Sequence, residues 1–266
     1  MKNYLNELTD SILKLVAVDS VENTPEAGAP FGKGTVEALE QALSLMKSWG
    51  FKVKNLDGYC GWAEIGEGEP FGILGHLDVM PVGKGWTKNP WGEIVDGVIY
   101  GRGVMDDKGP SVLCLYALKY LKDKGIALRY PVRALLGANE ETGMKDVEYY
   151  LANYPAPLFC FSPDANFPLC NGEKGICNLR IVSKTKLDKI ADIRGGVAGN
   201  VIPGKAEAWV KGAKPAPTDS VSVEADGELW HLTAKGIGGH ASKPEGTVNA
   251  IGVLISYILE NKLAGE

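Results

Sequence analysis

Between residues 52 and 162, short apolar runs alternate with stretches of helical spacing, and this rhythm leaves few folds open. Residues 52–56 and 61–65 read as short strands, 72–77 as a buried strand, and 130–136 and 158–162 as further apolar strands. Residues 111–122 read as a helix, with Pro110 near its first position and Gly125 beyond its end, and 144–153 as another. Strands alternating with helices predict an α/β fold, a mostly parallel sheet flanked by helices. Ahead of it, Leu5, Leu8, Ile12, Leu15 and Val16 share one face of a helix over about residues 4–18. A Pro/Gly-rich loop runs through Gly34, and a second helix follows over residues 35–49, with Gly50 as its stop signal.

The pattern changes near Gly172. Residues 176–182, 206–210, 220–225 and 229–234 read as strands of a more antiparallel kind. Turn-rich segments at Gly195-Gly196 and residues 211–217 separate them, and a helix follows over about 248–261. The boundary falls at about residues 172–178, giving a first domain over 1–175 and an α+β second domain over 176–266.

The site chemistry is suggested by where the acids fall. Gly72-Ile73-Leu74-Gly75 leads into His76 and Asp78. The strand ending near Leu136 leads, through Gly137-Ala138-Asn139, to Glu140-Glu141. The strand ending near Phe161 leads, through Ser162-Pro163, to Asp164. Ligand crevices in open α/β sheets lie beyond the carboxyl ends of the strands, so three segments deliver carboxylates and an imidazole to one edge. Asp106 and Asp107, just before a helix, can join them. One His with several carboxylates suits divalent ions of the zinc, manganese or cobalt kind. Two ions roughly 3.5–4 Å apart can share one carboxylate, while another carboxylate takes the proton of a water as general base. Adjacent side chains on extended backbone point opposite ways, so one of Glu140 and Glu141 can hold a metal while the other faces the water. Asp78 can accept the second ring N–H of His76. Taken singly, Glu140-Glu141 also reads as a capped helix start with acidic residues in its first turn, Asp106-Asp107 as the same, and His76 as a hydrogen-bonded histidine. The joint arrangement points to a metal site.

Composition narrows the partners. The formal net charge of −5, with no long basic run, argues against nucleic acid or an anionic membrane. The N-terminus lacks the apolar block of a signal peptide, and no run approaches about 18 apolar residues, so no membrane span is expected. Five cysteines without a CxxC pair predict free thiols in a cytoplasmic protein rather than a disulfide framework or zinc knot.

Three motifs, in order, resemble the M20 metallopeptidase family: His76-Leu77-Asp78-Val79-Met80-Pro81, Tyr100-Gly101-Arg102-Gly103-Val104-Met105-Asp106-Asp107-Lys108-Gly109-Pro110, and Asn139-Glu140-Glu141-Thr142-Gly143. The resemblance runs over essentially the whole chain. Within the family, Pro30-Phe31-Gly32-Lys33-Gly34 and the segment from Gly85-Trp86-Thr87 to Pro90-Trp91-Gly92 are most similar to the bacterial peptidase V group of Xaa-His or β-Ala-Xaa dipeptidases. The resemblance implies a zinc-peptidase catalytic domain with a lid, two divalent metal ions (zinc first, manganese or cobalt otherwise) and a dipeptide substrate. It implies that His76 and Asp164 bind the first metal, Asp106 bridges, Glu141 binds the second, Glu140 is the general base and Asp78 partners His76. It also implies a cis peptide between Asp106 and Asp107. Asp at position 164, where other members carry Glu, tilts the substrate toward peptides with a free amino end. Residues 236–249 match the lid segment whose His, here His240, stabilises the oxyanion, and Asn200 matches a lid residue that contacts substrate; on its own Asn200 reads equally as a turn residue. His231, inside a strand, reads as structural.

Family catalytic domains are discontinuous, and the returning half brings a last His to the second metal. Here none of the three histidines follows His240. The resemblance therefore implies a piece of a longer enzyme, with half of a two-part lid, a second metal one ligand short, exposed apolar faces prone to association, and turnover by this chain alone reduced or lost. An N-acyl amino acid deacylase and an inactive metal- or peptide-binding protein are the competing readings.

Overall fold

The computed structural model describes residues 2–83, 85–172, 174–175, 177, 179–182 and 187–264. It divides into two compact units, residues 1–170 and 171–266.

In the first unit, helices α1 (Lys2–Val16) and α2 (Lys33–Ser48) precede strands β1 (Lys52–Leu56), β2 (Cys60–Ile65) and β3 (Phe71–His76). A small hairpin, β4 (Glu93–Val95) and β5 (Val98–Tyr100), leads to α3 (Lys108–Asp123), β6 (Val132–Gly137), α4 (Lys145–Asn153) and β7 (Phe159–Phe161). The main sheet has the order β1-β2-β6-β3-β7. Strands β6, β3 and β7 run parallel, as the helical connections between them require. β1 and β2 instead form an antiparallel hairpin, and β2 pairs antiparallel with β6, so the sheet is mixed. Only residues 57–59 separate β1 from β2, too few for the crossover that parallel pairing needs.

Strand alternation supplies two cores. Ala63, Ile73, Ala134 and Leu136 face one way, where Ala38, Leu39, Ala42 and Met46 of α2 and Val112, Leu115 and Leu118 of α3 cover them, with Leu15 of α1. Trp62 and Leu135 face the other way and pack with Tyr150 of α4. α2 begins two residues earlier than its spacing predicts, and Gly50 takes φ 75° just past its end, the left-handed stop expected there. α3 also begins early, at Lys108, with Pro110 inside the first turn, where its missing N–H costs no helical hydrogen bond. β7, at the sheet edge, leaves Phe159 and Phe161 exposed, as are the neighbouring Leu158, Phe167 and Leu169.

The second unit contains β8 (Ile190–Gly195), β9 (Val201–Ile202), β10 (Lys205–Val210), β11 (Val221–Asp226), β12 (Leu229–Lys235), β13 (Gly239–His240) and α5 (Ala250–Glu260). β11-β12-β10-β8 form an antiparallel sheet. Ala206, Ala208, Val210, Leu232 and Ala234 lie under Leu254, Tyr257 and Ile258 of α5. Asn249 caps that helix through its side chain, which accepts from the amide of Ile251 at 3.0 Å.

The strand expected over 176–182 is not formed at residues 177 and 179–182; Ile176 and Asn178 lie outside the described residues. β8 occupies a stretch the sequence left unassigned, because Ile190 and Ile193 are three residues apart and break the two-residue strand rhythm. A register shift opposite Trp209 and Val210 reconciles them, setting Ile193 against Ala208 and Ile190 against Val210. His231 stacks on Trp209, with centroids 4.4 Å apart, and bonds Glu207 at 3.0 Å, a sheet-surface position. Among the described residues no helix is long and apolar enough to cross a membrane.

Candidate metal centre

The three parallel strands end side by side, and their carboxyl ends present the acids. His76 is the last residue of β3, opposite Gly137, which closes β6. Glu140 follows β6 by three residues and Asp164 follows β7 by three. All converge on one ring nitrogen: His76 Nε2 lies 3.1 Å from Asp106 Oδ1, 3.4 Å from Asp164 Oδ2 and 3.9 Å from Glu140 Oε2. The ring is buried, at 3% exposure, while the acids open toward solvent.

Two strand-end glycines make room for this packing. A Cβ on Gly75 would sit 2.0 Å from Ser111 Oγ, and one on Gly137 would sit 2.3 Å from Asp146 Oδ2. Both distances are far inside contact, so any side chain there would displace the residues that support the site.

The backbone of the Glu140-Glu141 segment is held by four successive amides donated to two buried carboxylates. Ala138 N and Asn139 N donate to Asp146 Oδ2 at 2.7 and 2.9 Å. Glu140 N and Glu141 N donate to Asp78 Oδ1 and Oδ2, each at 3.1 Å. Charge-assisted bonds of this kind are roughly twice as strong as neutral ones. Asp78 thus has two tasks. Its backbone carbonyl lies 3.0 Å from His76 Nδ1, whereas its carboxylate is 3.5 Å from that nitrogen and spends its lone pairs on the Glu140 and Glu141 amides. Asp78→Asn puts an NH2 against one of those amide donors. It is expected to weaken zinc binding about 10–100-fold, the range seen when partners of metal ligands are lost, as read by competition with a chromophoric chelator. Unchanged affinity would show that the strap does not matter.

Asp106, Asp107 and Lys108 point three ways. The Asp106–Asp107 peptide is cis, as the motif implies. Asp106 reaches His76. Asp107, fully buried, accepts from Ser111 Oγ at 2.8 Å and from the His76 amide at 3.2 Å, while its Oδ1 has no hydrogen-bond partner among the described residues. Burial pushes its carboxyl up to about 6, against the opposing bond from Ser111. Lys108, also fully buried, donates to the carbonyls of Leu15 and Val18, each at 2.8 Å. The sequence offered Asp107 only as a companion of Asp106 at the site edge and gave Lys108 and Asp146 no role; position near the motif acids is the signal that marks them.

Burial opposes charge on His76, but the surrounding carboxylates of Asp106, Asp164 and Asp78 outweigh it and raise its pKa. Asp106 is lowered, chiefly by His76. Glu140 is raised by burial, and Glu141 is pushed up to about 7 by burial first and then by the Asp106 charge. Three carboxylates thus face one imidazole nitrogen, whose single N–H can serve only one of them. A divalent cation fits that donor set. Among the described residues, His76, Glu140 and Asp164 bring ligand atoms within 4.8 Å of one another. Asp106 and Glu141, both expected as metal ligands, are not in that group; Glu141 is tied to the centre electrostatically, by Asp106 first and then by His76, Glu140 and Asp78.

Asn200 and His240 lie in the second unit and are brought together there. β13 pairs with β9, His240 opposite Val201, and the Ala241 amide donates to the Asn200 carbonyl at 2.8 Å. Val197, Val201, Ile202, Pro203 and His240 border a cavity of about 590 Å³.

Residues 72–252 match the model of peptidase family M20/M25/M40. A β-Ala-Xaa dipeptidase of Lactobacillus delbrueckii subsp. lactis is 37% identical over 97% of this chain, and the chain spans 60% of that relative's length. A Bacillus subtilis (strain 168) protein is 36% identical over 90% of this chain and 56% of its own. The crystal structure of human carnosine dipeptidase 1 matches with a TM-score of 0.50 at 23% identity, covering 56% of this chain and 35% of that one.

Proposed function

This chain belongs to peptidase family M20/M25/M40, and from that premise we propose that it serves metal-dependent hydrolysis of dipeptides with a free amino end. The observation that carries the reading is the convergence of Asp106, Asp164 and Glu140 on His76 Nε2. The likeness to a β-Ala-Xaa dipeptidase supports dipeptides over N-acyl amino acids.

In this reading residues 1–175 form the catalytic domain and 176–266 the first half of a lid, in a cytoplasmic protein. His76 and Asp164 would hold a first ion, Glu141 would serve a second and Asp106 would be available to both, zinc being favoured by the His/carboxylate set. When bound, the ions supply Lewis acidity toward water and the scissile carbonyl. Glu140 accepts the water proton on its carboxylate and passes it to the leaving amine. Asp78 and Asp146 keep its backbone fixed while it does so. His240 offers an N–H to the carbonyl oxygen as negative charge develops, and Asn200 contacts the substrate.

With zinc, manganese or cobalt supplied, β-Ala-Xaa and Xaa-His dipeptides are expected to be hydrolysed faster than N-acyl amino acids, and a chelator is expected to abolish the activity. Preference for the acyl substrates would replace this reading with a deacylase. Metal binding without hydrolysis of either would leave a metal- and peptide-binding protein.

A further inference from the structure

The His240 ring is constrained by its own turn. Lys243 N donates to the His240 carbonyl at 2.9 Å, closing a four-residue turn, and the Lys174 ammonium donates to the Ser242 carbonyl. Inside the turn the Ser242 amide donates to His240 Nδ1 at 3.2 Å, and Ser242 Oγ lies 2.7 Å from the same nitrogen. The ring acts here as an Asp or Asn carboxyl or amide oxygen does in an Asx turn, accepting from the amide two residues on.

A backbone amide can only donate, so Nδ1 must present its lone pair. The hydroxyl, which can turn either way, then donates as well. A proton on Nδ1 would oppose the amide N–H directly. In the neutral ring the proton is therefore on Nε2. We propose that Ser242 is a positioning residue whose backbone amide sets His240 as the Nε2–H tautomer, so that the ring offers a neutral N–H donor at its outer nitrogen. That this donor meets a substrate carbonyl rests on the dipeptidase reading; the tautomer itself does not.

Long-range ¹H–¹⁵N NMR of the whole chain, at a pH where the ring is neutral, reads the tautomer, with the His240 signals assigned by their loss in His240→Gln. The wild-type ring is expected to show a pyridine-type Nδ1 and a pyrrole-type Nε2. Ser242→Ala keeps the amide and loses a hydroxyl that can serve either tautomer, so its shifts are expected to match the wild type. Unfolding in urea removes the turn and with it the amide bond, and the tautomer ratio is then expected to fall by about fivefold to tenfold, the effect of one hydrogen bond, moving both nitrogen shifts toward the average. A wild-type ring protonated on Nδ1, a ratio unchanged by unfolding, or loss of the preference in Ser242→Ala would overturn the proposal. Absence of any dipeptide hydrolysis would count against the functional reading and leave the NMR result to decide the tautomer.

Discussion

Glu140→Gln is expected to lower dipeptide turnover by about a hundredfold to ten-thousandfold, the usual contribution of a general base, and to leave zinc affinity nearly unchanged. Glu141→Gln is expected to do the reverse to the metal, weakening it measurably. Both side chains follow the same strand and both amides are strapped to Asp78, so backbone placement does not separate their roles. Their surroundings differ. Glu140 Oε2 is the most distant of the three carboxylate oxygens around His76 Nε2, at 3.9 Å against 3.1 and 3.4 Å for Asp106 and Asp164. Glu141 answers chiefly to burial and to Asp106, which in the proposed site would be shared by the two ions. Because the glutamine variants keep shape and lose only charge and basicity, kcat and chelator-competition affinity can be compared directly. If Glu140→Gln strips the metal while Glu141→Gln spares it and loses turnover, the two roles must be exchanged.

The line of acids at one sheet edge was legible because it depends only on strand ends. His76, Glu140 and Asp164 each follow an apolar run, and β3, β6 and β7 are neighbours in the sheet. The support beneath them was not legible, because it depends on which way a charged side chain turns. Asp106-Asp107-Lys108 reads as a solvated helix start, yet Asp107 and Lys108 are buried and only Asp106 faces solvent. Asp146 sits where an acidic residue ordinarily complements a helix dipole, and here it also receives two amides from the preceding loop. The antiparallel β1–β2 hairpin was hidden for a different reason: an apolar run carries no direction, and only the three-residue connection does. In the second unit β8 escaped because its register shift breaks the alternation on which strand reading relies.

Lys108→Met is expected to destabilise the first unit by about 1–3 kcal/mol, and the reason is local. α1 ends at Val16 with carbonyls that no later turn of the helix can pair. The Lys108 ammonium donates to two carbonyls at this end, Leu15 and Val18, where the helix dipole also favours a cation. Burial lowers the ammonium pKa to about 8, with Asp19 and Asp78 pulling the other way. Methionine keeps much of the length and apolar stem. It removes the buried charge, a gain, and strands the Val18 carbonyl at a cost of about 1–3 kcal/mol, while the Leu15 carbonyl keeps its bond from the Val18 amide at 3.2 Å. Burial already disfavours that charge, so the gain offsets part of the loss but leaves the Val18 carbonyl without its donor. Urea unfolding would show a lower midpoint with an unchanged slope. The same tether runs from α1 to the residue two beyond Asp106, so zinc affinity, measured well below the unfolding transition, is expected to fall as well. Stability within about 0.5 kcal/mol of wild type, the range of ordinary surface changes, would mean that water serves those carbonyls as well as Lys108 does.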